Sequence, residues 1–143
     1  MELKPVTVGV VGAGAISDIY LTNMTTRFPI LKVKSICAGH IENARKKAEK
    51  YGISPCTLEE MFDDPEIEMI VNLTPAHAHY SVIRRALAAG KHVYTEKTMT
   101  DCTESAQELI AIARNKGLLL ASAPDTFLGA SWQTARKAID DGL

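Results

Sequence analysis

Two glycines, Gly12 and Gly14, follow directly on the apolar run Val6-Thr7-Val8-Gly9-Val10-Val11, and a helical pattern begins just after them. In that order, strand then glycines then helix, a loop can receive phosphate. Backbone N–H groups at the helix N-terminus face the anion, and the helix dipole favours its charge. Gly12 suits the tight turn, and Gly14 lets the backbone approach a phosphate with no Cβ in the way. A pyrophosphate-binding βαβ start is therefore expected, with Ala15 and Ile16 in the same loop. Ser17 occupies the third position of the glycine pattern, where it should slightly relax the packing of helix on strand.

Two more segments carry groups capable of chemistry. Thr74-Pro75 ends the apolar run 69–73, and Glu96-Lys97 ends the run 92–95. A lysine beside a substrate oxygen can stabilise developing alkoxide charge, although a charged pair at a strand end needs no such role. His77 and His79 invite a metal, but an i, i+2 pair on a helix does not share a face, so no metal site is expected. Their expected place is the helix N-terminus beside Thr74-Pro75, with His79 contacting the cleft. Asp63-Asp64 precedes Pro65 and reads as a turn.

These residues are positioned by an alternation of strands and helices. Helical spacing runs over 14–28, with Ile16, Ile19, Tyr20 and Met24 as its apolar positions, and Pro29 closes it. A strand at 31–38 precedes a helix at 42–51, whose basic residues form a solvated face and which Gly52 ends. A short strand near Cys56 leads to a helix that Thr57 and Glu60 can open as a capping box. Helices at 77–89 and 101–116, strands at 92–95 and 118–121, and a last helix at 127–141 complete the series. Leu109, Ile110, Ile112 and Ala113 are expected on the buried side of the fifth helix, and Trp132 as a packing residue on the last.

Such an alternation with short connections predicts an α/β fold, a doubly wound parallel sheet of strand order 3-2-1-4-5-6 with right-handed crossovers. Ligands bind beyond the carboxyl ends of such strands where the order reverses. There the loops at Gly12, Thr74-Pro75 and Glu96-Lys97 converge.

The 143 residues amount to one domain, 1–143, with a single core. Lys plus Arg number 16 against 17 for Asp plus Glu, a net charge of −1, so no nucleic-acid or acidic-membrane surface is expected. No stretch approaches a membrane span, and the N-terminus lacks a signal-peptide core. Cys37, Cys56 and Cys102 form no Cys-x-x-Cys pair and read as buried free thiols of a soluble cytoplasmic protein.

Taken together, Gly12-Ala13-Gly14-Ala15-Ile16-Ser17, Asn72-Leu73-Thr74-Pro75 with His77 and His79, and Ala88-Ala89-Gly90-Lys91-His92-Val93-Tyr94-Thr95-Glu96-Lys97 resemble the Gfo/Idh/MocA family. This is the family of glucose–fructose oxidoreductase and inositol dehydrogenase, and the resemblance spans nearly the whole chain. It implies a Rossmann domain that binds NAD or NADP and serves hydride transfer at a hydroxyl or carbonyl carbon of a sugar, inositol or similar small molecule. It also implies that Glu96 lies near the nicotinamide ribose and that Lys97 points at the reacting carbon. Thr98 departs from the family's proline after the lysine, which removes a constraint on that loop. Ala38 stands where the family has an acidic ribose ligand, followed by Gly39 and His40. With no carboxylate to bind a 2′-hydroxyl and no adjacent arginine to attract a 2′-phosphate, the choice of cofactor stays open; His40 could contact adenosine.

The family carries a second domain that supplies most substrate contacts, and it would begin near Asp141-Gly142-Leu143. Cofactor binding with little or no turnover is therefore expected of this chain. The surface meant for that domain is expected to expose apolar residues and to favour a homo-oligomer. A nucleotide-binding regulatory module and a non-catalytic interaction domain are the other two readings.

Overall fold

The computed structural model describes residues 4–124 and 126–142. Six strands form one parallel sheet: β1 (Val6–Val11), β2 (Leu31–Cys37), β3 (Ser54–Pro55), β4 (Met69–Asn72), β5 (His92–Thr95) and β6 (Leu120–Ser122). Their order is β3-β2-β1-β4-β5-β6, as the alternation predicts. The helices are α1 (Ser17–Thr26), α2 (Ile41–Tyr51), α3 (Leu58–Asp63), α4 (Ala76–Ala88), α5 (Thr103–Asn115) and α6 (Ala130–Asp140). A 3-10 turn, Thr126–Leu128, precedes α6. Thr57 and Glu60 make the reciprocal capping box that opens α3.

The core lies in two layers, because successive side chains of a strand point to opposite faces. Val8 and Val10 of β1 pack with Leu21 and Met24 of α1 and with Ala44 and Ala48 of α2. Val11, with Ile70 and Val93 of the neighbouring strands, faces α3, α4 and α5. A Cβ on Gly9 would come 2.8 Å from the Met61 sulfur, so the absence of a side chain there lets α3 lie close against β1.

The cover is uneven. On the face of α1 and α2, the sheet beyond β1 is left as an open apolar groove of about 630 Å³, lined by Ile16, Ile19, Tyr20, Phe28, Met69 and Tyr94 among others. This corrects the helical reading of α1: its buried positions are Ser17, Leu21 and Met24, while Ile16 and Ile19 are exposed. Ile110 likewise turns outward from α5, whose buried positions are Leu109 and Ala113 at i, i+4. Helix α6 buries no residue, and Trp132 is 63% exposed instead of packed.

The cysteines also depart from expectation. Cys37 is buried, and burial pushes its thiol up to about 12, whereas Cys56 is half-buried and Cys102 exposed. Among the described residues, no helix is long and apolar enough to cross a membrane.

Candidate functional site

The site is built where β1, β4 and β5 end. After Val11, the chain turns at Gly12 with φ +112°, a conformation that L side chains rarely adopt. A Cβ here would lie 2.6 Å from the Leu73 carbonyl carbon and oxygen. Gly12 is thus required because the first loop is pressed against the backbone of the β4 loop. The Gly12 N–H donates to the Cys37 carbonyl (2.8 Å), and the Leu73 N–H to the Val11 carbonyl (2.7 Å), which tie β1 to both neighbours.

Gly14 differs. It is exposed, and a Cβ would meet nothing within 4 Å, so the fold makes no demand for glycine there. Ala15 and Ile16 are exposed beside it. Ser17 is fully buried at the third position, and its hydroxyl donates to the Gly14 carbonyl (2.6 Å), which closes the loop on a hydrogen bond.

No side chain caps α1 at Ile16; the Ser17 and Asp18 N–H groups donate to the Gly14 (3.1 Å) and Ala15 (3.4 Å) carbonyls, and the N–H groups of Gly14, Ala15 and Ile16 are without a partner among the described residues. The one acid of the first turn, Asp18, is engaged elsewhere: Lys47 (2.6 Å), Tyr51 (2.8 Å) and Lys50 (3.1 Å) surround its carboxylate. The Lys47 hydrogen bond, then those of Tyr51 and Lys50, hold its carboxyl well below the usual range. That donor set suits a pyrophosphate.

At the end of β2, Ala38 is half-buried, and His40 is exposed as the N-cap residue of α2, where it makes no side-chain cap bond. No carboxylate stands at Ala38.

Between β4 and β5, Asn72, part of the family-like motif but given no role in the sequence, acts as a buried cross-tie. Its Nδ2 donates to the Thr95 hydroxyl (3.1 Å), and its Oδ1 accepts the Thr74 N–H (3.2 Å) and hydroxyl (2.7 Å). Asn72 and Thr95 are both fully buried. The available signal was a polar residue closing an otherwise apolar strand. Asn72→Ala should cost about 2–3 kcal/mol, because it strands the Thr95 hydroxyl and releases the Thr74 turn. Urea unfolding measures the loss, and a change below about 0.5 kcal/mol would remove Asn72 from the framework.

Thr74 is half-buried, and Pro75 is exposed as the N-cap residue of α4. His79 does not reach the cleft as expected. It is 1% exposed, with Nε2 2.7 Å from the Thr74 carbonyl and Nδ1 2.6 Å from the Thr98 carbonyl. Both ring nitrogens lie within hydrogen-bond distance of main-chain carbonyls, to one of which a neutral imidazole donates, so His79 sits between the Thr74 and Thr98 loops. His77 is exposed and apart from it.

Glu96 is half-buried. Its Oε1 accepts the Tyr20 hydroxyl (2.6 Å), and its Oε2 accepts the Lys97 N–H (3.1 Å). Burial, followed by the Glu96 hydrogen bond, holds the Tyr20 phenol far above its ordinary range and keeps it a donor. Lys97 is exposed and makes no ion pair among the described residues, and its peptide to Thr98 is cis. The apolar groove reaches this site at Ile16, Tyr20 and Glu96.

Residues 6–123 match the GFO_IDH_MocA oxidoreductase family, described as having an NAD-binding Rossmann fold. An uncharacterized oxidoreductase of Escherichia coli K12 is 38% identical over 85 residues, covering 59% of this chain and 25% of that protein. A scyllo-inositol 2-dehydrogenase (NADP(+)) of Bacillus subtilis is 29% identical over 99% of this chain and 39% of its own length. Among solved structures, a 3-ketoreductase of Actinomadura kijaniata in complex with NADP and TDP-benzene superposes with a TM-score of 0.88 at 30% identity. That match covers 97% of this chain and 43% of the other. The chain thus spans from a quarter to about two fifths of the length of these curated relatives. With its six-stranded order, its glycine turn and a family match from the first strand to just past the sixth, the chain belongs to the Gfo/Idh/MocA oxidoreductases and carries their NAD-binding Rossmann domain.

Proposed function

We propose that this chain holds NAD or NADP at the joined ends of β1, β4 and β5 for hydride transfer at a hydroxyl or carbonyl carbon of a sugar, inositol or similar small molecule. The observation that carries the reading is the contact of the Gly12 turn with the Leu73 carbonyl, which brings the phosphate loop against the loop leading to Thr74-Pro75. Gly14, Ala15 and Ile16 receive the pyrophosphate with the uncapped start of α1. Ala38 and His40 border the adenosine, Thr74 and Pro75 flank the middle of the dinucleotide, and Glu96 meets the nicotinamide ribose. Lys97, exposed and without a carboxylate partner among the described residues, faces the substrate oxygen, where its charge favours alkoxide development. The nicotinamide ring, when bound, donates or accepts the hydride.

Hydride transfer also needs a substrate held in near-attack geometry. Only Lys97 among these residues would touch one, so the chain by itself binds cofactor with little or no turnover. The groove and α6 expose the apolar surface that a substrate-binding domain, or a second copy, would cover.

Titration with NADH and NADPH, followed by nicotinamide fluorescence, tests the reading; no saturable signal with either would overturn it. The absence of an acid at Ala38 supports acceptance of both cofactors, and two of the relatives above are named with NADP. Ala38→Asp should then weaken NADPH relative to NADH by about tenfold or more, since a carboxylate repels the 2′-phosphate and accepts from a 2′-hydroxyl. An unchanged ratio would place the adenosine ribose elsewhere.

A further inference from the structure

Lys97 sits in an exposed loop with no proline to stiffen it, yet the backbone on both sides of the lysine is held. On the N-terminal side, Tyr20 of α1 donates to Glu96 Oε1 (2.6 Å), which turns the other carboxylate oxygen onto the Lys97 N–H (3.1 Å). On the C-terminal side, the Thr98 carbonyl lies 2.6 Å from Nδ1 of His79 on α4. Neither anchor is adventitious in its packing. Tyr20 rests against the Tyr94 ring at 6.2 Å between centroids, and His79 is 1% exposed with its second nitrogen at the Thr74 carbonyl.

The two anchors stand on helices that start at the two dinucleotide-facing loops. Tyr20 lies one turn into α1, just after Gly14–Ser17, and His79 lies one turn into α4, just after Thr74-Pro75. We propose that Tyr20 and His79 are positioning residues for Lys97, fixing the Glu96–Lys97 peptide before it and the Thr98–Met99 peptide one residue beyond it, and linking its pose to both loops that receive the cofactor. The proposal rests on the reading of Lys97 and of these loops given under the proposed function. Neither residue touches the reacting atoms. Tyr20 acts through the Glu96 carboxylate, and His79 through the Thr98 carbonyl.

The test uses Tyr20→Phe and His79→Gln in the 143-residue chain with ¹⁵N labelling. Solvent exchange of the Lys97 amide is read by NMR, with the Val71 and Val93 amides of β4 and β5 as internal controls. Tyr20→Phe should speed Lys97 exchange by about tenfold, the loss of a charge-assisted bond, with both controls within about twofold. His79→Gln, if folded, should broaden or shift Lys97 and Met99 with the same controls intact; if it does not fold, Tyr20→Phe alone decides. Binding of NADH and of ADP-ribose, which lacks the nicotinamide, is measured in parallel. Tyr20→Phe should reduce the advantage of NADH over ADP-ribose by about threefold or more, whereas a merely structural loss would weaken both alike. Unchanged Lys97 exchange, or acceleration shared equally by Val71 and Val93, overturns the positioning role. If the parent chain binds neither ligand, the proposed function falls, and the exchange arm still decides whether Tyr20 and His79 hold Lys97.

Discussion

Gly12→Ala should abolish dinucleotide binding and destabilise the chain by about 3–5 kcal/mol, combining the strain of a non-glycine residue at positive φ with a backbone clash. The added methyl would stand 2.6 Å from the Leu73 carbonyl and 2.9 Å from the Thr74 nitrogen. Neither obstacle is the end of a flexible side chain, so relief requires the β1 and β4 loops to part. Parting them strains the Leu73–Val11 hydrogen bond and moves the Asn72–Thr74 turn, both of which shape the site. Urea unfolding reads the stability and nicotinamide fluorescence the binding. Gly14→Ala is the contrasting variant. With nothing within 4 Å of its Cβ, it should alter stability by less than about 1 kcal/mol while still obstructing a phosphate. If Gly12→Ala were as mild as Gly14→Ala, the contact between the two loops would not be what fixes the site.

Lys97→Ala should leave stability within about 0.5 kcal/mol, because the side chain is exposed and makes no ion pair among the described residues. It should leave cofactor affinity nearly unchanged too. In an enzyme that also carries the substrate-holding part, turnover should fall by a factor on the order of 10² to 10⁴, the usual cost of removing a cation or proton-transfer group at a reacting oxygen. The loss belongs in kcat and kcat/KM together, since the lysine would act on charge that develops only in the transition state. Full turnover in the variant would remove Lys97 from the catalytic set and leave it an exposed charged residue at a strand end.

The topology was legible where a strand is a short, mainly apolar run closed by a glycine or a charged residue. Val6–Val11 before Gly12 and His92–Thr95 before Glu96-Lys97 are the clearest cases. Which residues a helix buries was less legible. Ile16 and Ile19 look like the inner face of α1, yet Ser17 is buried in their stead, because its hydroxyl has the Gly14 carbonyl as a partner and the isoleucines face an uncovered part of the sheet. A hydropathy pattern records what a residue prefers and not whether a neighbour arrives to cover it. Trp132 on α6 is exposed for the same reason.

His79 was singled out by its place after Thr74-Pro75, but its orientation was not foreseeable. Both its partners are main-chain carbonyls, which leave no trace in residue types. The Asn72–Thr95 bond joins neighbouring strands at a register that only the folded sheet defines.

The uneven cover of the sheet carries over to cooperativity. Among the described residues, strand β6 pairs only with β5, and α6 adds no buried side chain to it, so this edge is inexpensive to open. The bond from the Ala123 N–H to the Thr95 carbonyl (3.0 Å) fastens that edge one residue before Glu96. Anything that docks over the bare face and damps fraying of β6 therefore also stiffens the Glu96-Lys97 loop. Tyr20 and Glu96 themselves line the groove, so its occupation and the ordering of the Glu96-Lys97 loop are thermodynamically linked, each favouring the other.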